Sequence, residues 1–198
     1  MTNRLANRII TVKILDSKRG TFIILQINKT KLFYKKPILA GILAAAGVLL
    51  SVVSIPVGLT KCFPFQHTIN VIGGVILGPF WAVCSAFITS LIRNMLGTGS
   101  LFAFPGSIFG ALFVGITAKF LPQKFKIASF IAEPIGTGLV GAWVSSVILG
   151  PIVGKNLGFV FLALSFLISS VPGACLGAVI LYFLEKHKIL KNKKSSKP

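Results

Sequence analysis

The sequence predicts an all-α integral membrane protein with six transmembrane helices. Three observations carry that expectation. Hydrophobic residues make up 54% of the 198 positions and charged ones only 12%, with a mean hydropathy of +0.88. A soluble domain carries about 25% charged residues. The chain is nonetheless strongly basic, with 21 Lys+Arg, 3 Asp+Glu and a formal net charge of +18. The charges are also segregated, so that long stretches hold none. The apolar content excludes a disordered chain, and the scarcity of charge excludes a soluble nucleic-acid binder.

The elements follow in order. Residues 1–36 form a basic extension, cytoplasmic or interfacial, with nine Lys and Arg. Its Thr21–Ile27 run is β-prone and too short to span. A bilayer core of about 30 Å needs roughly 20 apolar residues in a helix. The membrane domain is expected over residues 37–184. Its first helix covers Pro37–Val53. The uncharged stretch 62–92 would be about 46 Å long as one helix. Gly78-Pro79 interrupts it, and proline breaks the hydrogen-bond ladder there. Two short helices are expected instead, His67–Leu77 and Phe80–Asn94, joined by a tight turn. Gly106–Leu121, Ile127–Leu149 and Leu157–Leu184 complete the six. Residues 185–198 form a basic cytoplasmic tail.

Charge placement favours six spans over five. With six, both termini share a side with Lys119, Lys124, Lys126 and the lysines of the tail, eighteen basic residues in all. Lys61, Arg93 and Lys155 fall on the other side. The positive-inside rule then places both termini in the cytoplasm of a multi-pass cell-membrane protein. The basic segments either bind anionic lipid headgroups or simply set the topology. They lack the interleaved aromatic residues that stack bases, so no nucleic acid is expected as a partner. Cys62, Cys84 and Cys175 are widely spaced and form no metal-site pattern, so no metal or cofactor is expected.

Polar residues in an apolar chain need a reason. The densest group lies between the first two helices: Lys61, Phe63, Phe65, Gln66, His67 and Asn70. His67 and Asn70 are three apart and share a helix face. Aromatic surface beside a few hydrogen-bonding groups suits a small polar aromatic ligand. The bland alternative is an interfacial loop with a capping residue. A second group, on the same outer side, runs from Arg93-Asn94 through Gly97-Thr98-Gly99-Ser100 to Ser107. Arg93 could equally snorkel to headgroups. Gly97-Thr98-Gly99 is followed by no Lys-Ser/Thr, so it is no phosphate loop.

Glu133 is the one carboxylate inside an expected span, with Arg93 and His67 as available partners. A helix starting at Ile127 would leave it only about 9 Å from the inner end. A break at Pro134 and Gly136-Thr137-Gly138 would ease that mismatch. Trp143, further along, offers a pocket wall or an interface anchor. Ala40 and Ala44 form a small-xxx-small pair, as do Gly41 and Ala45. Such pairs either pack internally or dock a partner helix.

These residues fit a substrate-binding membrane subunit of a small-molecule importer. The alternative is a self-sufficient secondary transporter of a small vitamin precursor, though such folds usually show internal repeats. No catalytic constellation is present, and one Glu with one His does not make one, so no enzyme is expected. Without a nucleotide-binding motif, ATP hydrolysis would fall to separate subunits.

Several segments resemble the ThiW family. They are Pro56-Val57-Gly58 with Thr60-Lys61-Cys62-Phe63-Pro64, Gln66-His67 and Ile69-Asn70-Val71; Leu77-Gly78-Pro79; Arg93-Asn94 with Leu96-Gly97-Thr98-Gly99 and Ala103-Phe104-Pro105-Gly106-Ser107; and Glu133 with Ile135-Gly136-Thr137-Gly138. The resemblance covers about residues 37–184. It implies an S-component-like bundle, the substrate-specific S component of an energy-coupling factor (ECF) transporter. It also implies uptake of hydroxyethylthiazole in thiamine biosynthesis, at an outer-face site capped by the first loop. The implied partners are a transmembrane coupling subunit and two ABC ATPase subunits. Ala40 and Ala44 fit the spacing by which such components dock their coupling subunit. From position, the thiazole would meet Lys61, Phe63, Phe65, Gln66, His67, Asn70, Arg93, Asn94, Glu133 and Trp143.

Overall fold

The computed structural model describes the backbone of residues 9–16, 21–57 and 60–187, and the side chains of residues 35–55 and 62–187. The chain divides into two units, Met1–Leu39 and Ala40–Pro198. The first holds an antiparallel ribbon of β1 (Ile9–Asp16) and β2 (Thr21–Asn28), paired from Ile9 with Asn28 to Asp16 with Thr21. The β-prone run is therefore a strand, so the chain is not all-α, and the membrane domain is helical apart from one short ribbon. Helix α1 (Lys29–Leu50) starts eight residues before Pro37 and carries that proline inside it.

In the second unit a three-residue ribbon, β3 (Ile55–Val57) with β4 (Thr60–Cys62), leads into α2 (Pro64–Leu77). Pro64 opens the helix, where its missing N–H costs nothing. Gly78, at φ 83°, ends α2, and Pro79 opens α3 (Pro79–Met95). This is the interruption the sequence predicts. Helices α4 (Ala103–Phe120), α5 (Gln123–Ile152) and α6 (Phe159–Lys186) follow. These last three are each long and apolar enough to cross a membrane by length and composition.

The packing is inverted relative to a soluble protein. Large apolar side chains such as Phe80, Leu91, Phe120, Leu139, Val160 and Val179 are exposed, whereas Gln66, Asn70, Arg93, Glu133 and several serines are buried. Such an exterior belongs in lipid, which makes this a multi-pass membrane protein. Helix α2 lies in the middle, against α3, α4 and α6. Small residues allow that closeness. A β-carbon at Gly173 of α6 would meet the Pro64 carbonyl oxygen and come within 2.8 Å of His67 Cβ. One at Gly74 of α2 would come within 2.6 Å of Val114 on α4. Thr68 Oγ1 donates to the Gly173 carbonyl at 2.8 Å, tying α2 to α6.

Two expectations need correction here. Ala40 and Ala44 are only 3% and 2% exposed, covered by the chain's own helices. Their smallness brings α1 close to α3. Thr89 Oγ1 lies 3.3 Å from the Ala44 carbonyl, and a β-carbon at Gly47 would come within 2.9 Å of Thr89. Their burial favours the internal-packing alternative over docking. Second, α5 is not broken at Pro134. It starts at Gln123 with nine residues of 3-10 helix and continues with π-helical turns at Gly136–Gly141 and Ser145–Leu149.

Candidate functional site

At the end of the bundle where the α1–α2 and α3–α4 connections meet, the helices enclose a cavity of about 560 Å³. Ser51, Val52 and Ser54 from the first connection line it, with Phe63, Gln66 and His67 at the start of α2. Arg93 and the Gly97–Ser100 loop form another side, and Ser107 and Thr137 lie on α4 and α5. Phe161, Ser165, Phe166 and Ser169 of α6 close it. Aromatic walls with a few converging polar groups are what a small-molecule site presents.

Arg93 is the dominant charge. It sits in the last turn of α3 and is 1% exposed. Its guanidinium carbon stands 4.3 Å over the Phe63 ring, a cation–π contact. Nη2 donates to the Thr98 carbonyl at 3.1 Å. Nε and Nη1 are buried with no partner among the described residues. Burying a cation is costly unless its donors are satisfied. The loop beside it is held tightly. Gly97, at φ 68°, lets the chain turn back, and the Thr98 and Gly99 N–H groups donate to the Arg93 carbonyl at 2.9 and 3.0 Å. Asn94 Nδ2 donates to the Ser90 and Ser100 carbonyls, pinning the far side of the loop. Gly97-Thr98-Gly99 thus serves the helix end and the guanidinium.

Behind the cavity lies a buried polar cluster. Glu133, 0% exposed, has Oε1 2.7 Å from His67 Nδ1, 3.2 Å from Asn70 Nδ2 and 2.9 Å from Thr137 Oγ1. Gly110 of α4 makes room for it, since a β-carbon there would lie 2.5 Å from Glu133 Oε1 and collide with Thr137 Oγ1. The expected depth mismatch disappears because α5 begins four residues earlier than Ile127 and starts as 3-10 helix. That form rises about 2.0 Å per residue, so its nine residues lift Glu133 about 18 Å along the helix.

Of the residues singled out from sequence, Phe63, Gln66, His67 and Arg93 line the cavity. Asn70 and Glu133 support it from behind, and Asn94 holds the loop. Phe65 is half-buried outside the lining. Trp143 is 51% exposed on α5 and does not line the cavity. The Lys61 side chain lies outside the described residues. Arg93 makes no contact with Glu133. The contribution of α6 went unseen in the sequence. Ser165 and Ser169 lie four apart on a largely apolar helix, which places them on one face. Ser169 Oγ accepts the Phe63 N–H at 3.2 Å and so joins α6 to the start of α2.

A bundle with an apolar exterior around a polar-lined cavity defines a membrane-embedded small-molecule binder. The family model described as "Thiamine-precursor transporter protein (ThiW)" matches residues 38–187. The chain belongs to that family, and its function is accordingly transport of a thiamine precursor across a membrane. No curated protein matches the chain.

Proposed function

We propose that this chain is the substrate-binding S component of an ECF-type importer and that its cavity takes up hydroxyethylthiazole. A transmembrane coupling subunit and two ABC ATPase subunits would supply the ATP-driven step. Both termini would lie in the cytoplasm, in line with the eighteen basic residues on that side. Hydroxyethylthiazole is a small aromatic alcohol. Its ring fits walls such as Phe63, Phe102 and Phe166, and its nitrogen and hydroxyl meet the polar groups of the same cavity.

The observation that carries the reading is Arg93, whose Nε and Nη1 hydrogens are buried in the cavity wall without an acceptor among the described residues. A ligand with an acceptor atom satisfies them, whereas a purely apolar one leaves them stranded. The irregular winding of α5 favours a second reading, a self-sufficient secondary transporter, since such proteins build sites on discontinuous helices. Proteoliposomes separate the two. The importer reading predicts no thiazole accumulation by the chain alone and ATP-dependent accumulation once coupling and ATPase subunits are added. Accumulation by the chain alone, driven by an ion gradient, contradicts it.

A further inference from the structure

Glu133 does not touch the cavity, yet the directions of its hydrogen bonds determine what His67 offers there. Those directions can be read from a backbone atom. The Ser107 carbonyl oxygen can only accept, so the Asn70 atom 3.3 Å away is the amide nitrogen. Ser107 Oγ donates to the other end of the same amide, Asn70 Oδ1, at 3.2 Å. The second amide N–H then points to Glu133 Oε1 at 3.2 Å, which makes Oε1 an acceptor. With Glu133 as a carboxylate, Oε1 accepts from His67 Nδ1 as well, 2.7 Å away, and Nδ1 carries the hydrogen. In a neutral imidazole this leaves Nε2 with a lone pair. Nε2 has no hydrogen-bond partner among the described residues, and His67 lines the cavity.

We propose that Glu133 is a positioning residue that holds His67 in the Nδ1–H tautomer. The cavity then presents one acceptor, His67 Nε2, together with one strong donor, the Arg93 guanidinium. The ligand class follows: a small aromatic alcohol whose hydroxyl donates to Nε2 and whose second heteroatom accepts from Arg93. For its ligand the proposal rests on the thiazole-alcohol reading. For the tautomer it stands on this cluster alone. An ether in place of the alcohol leaves Nε2 without a donor and binds more weakly.

The test is nitrogen-15 NMR of histidine-labelled protein in nanodiscs without ligand. The chain has two histidines, so His187→Asn, at an exposed position outside the site, leaves His67 as the one signal. A protonated Nδ1 with an unprotonated Nε2 is expected. An Nε2–H tautomer or a doubly protonated ring overturns the proposal, and this measurement needs no variant at Glu133. The second arm compares hydroxyethylthiazole with its O-methyl ether. Wild type should favour the alcohol about tenfold. Glu133→Met, which removes the acceptor, should lose the single tautomer and most of that preference, and retention of both removes Glu133 from the positioning role. If the Nδ1–H tautomer is found but hydroxyethylthiazole does not bind, the ligand part is overturned and the tautomer part is upheld.

Discussion

Arg93 and His67 do different work although they line the same cavity. Arg93 carries a fixed charge, and its Nε and Nη1 have no partner among the described residues. A hydrogen bond to a charged group contributes about 1.5–3 kcal/mol. Arg93→Met should therefore weaken thiazole binding roughly ten- to a hundredfold by calorimetry, with little change in thermal stability, because a buried unpaired cation is removed. Trp143→Phe should leave affinity unchanged, since that ring faces outward. The contrast between these two residues shows where sequence reasoning stopped. Chemical type and position in the chain mark both as site residues. Only packing distinguishes a side chain turned inward from one turned to lipid. Arg93 and Glu133 were legible as a pair of unusual charges. Their separation was not, because it depends on His67 and Asn70 reaching Glu133 first.

At the scale of elements, the short α2 and α3 were legible because Gly78-Pro79 states a helix end and a helix start in two residues. The winding of α5 was not. No residue type announces nine residues of 3-10 helix, yet that segment sets the height of Glu133. Close helix contacts depend on particular glycines. Gly110→Ala should push Glu133 and Thr137 apart and destabilise the fold by about 1–3 kcal/mol, visible as a lower melting temperature in detergent together with weaker thiazole binding. Had the Glu133 cluster no structural role, the melting temperature would stay at the wild-type value. Ala40 and Ala44 make the same point in reverse. Their spacing suggested a docking face, but α1 uses it to approach α3 within its own bundle.

For the whole molecule, the asymmetry of charge was the most informative sequence feature, and the proposed orientation rests on it. A single cysteine from Ser195→Cys, in a background lacking Cys62, Cys84 and Cys175, should react with an impermeant thiol reagent only after the membrane is opened. Labelling of intact cells would reverse the orientation. The exposed apolar exterior and the buried polar interior agree with a multi-pass bundle, and the cavity lies at one end of it.

The central claim is that this cavity binds the thiazole precursor of thiamine. Calorimetric titration of purified, folded protein with hydroxyethylthiazole tests it most directly. Saturable binding of one ligand per chain, weakened by Arg93→Met and unaffected by Trp143→Phe, is the predicted result. Folded wild-type protein that takes up no hydroxyethylthiazole would contradict the account.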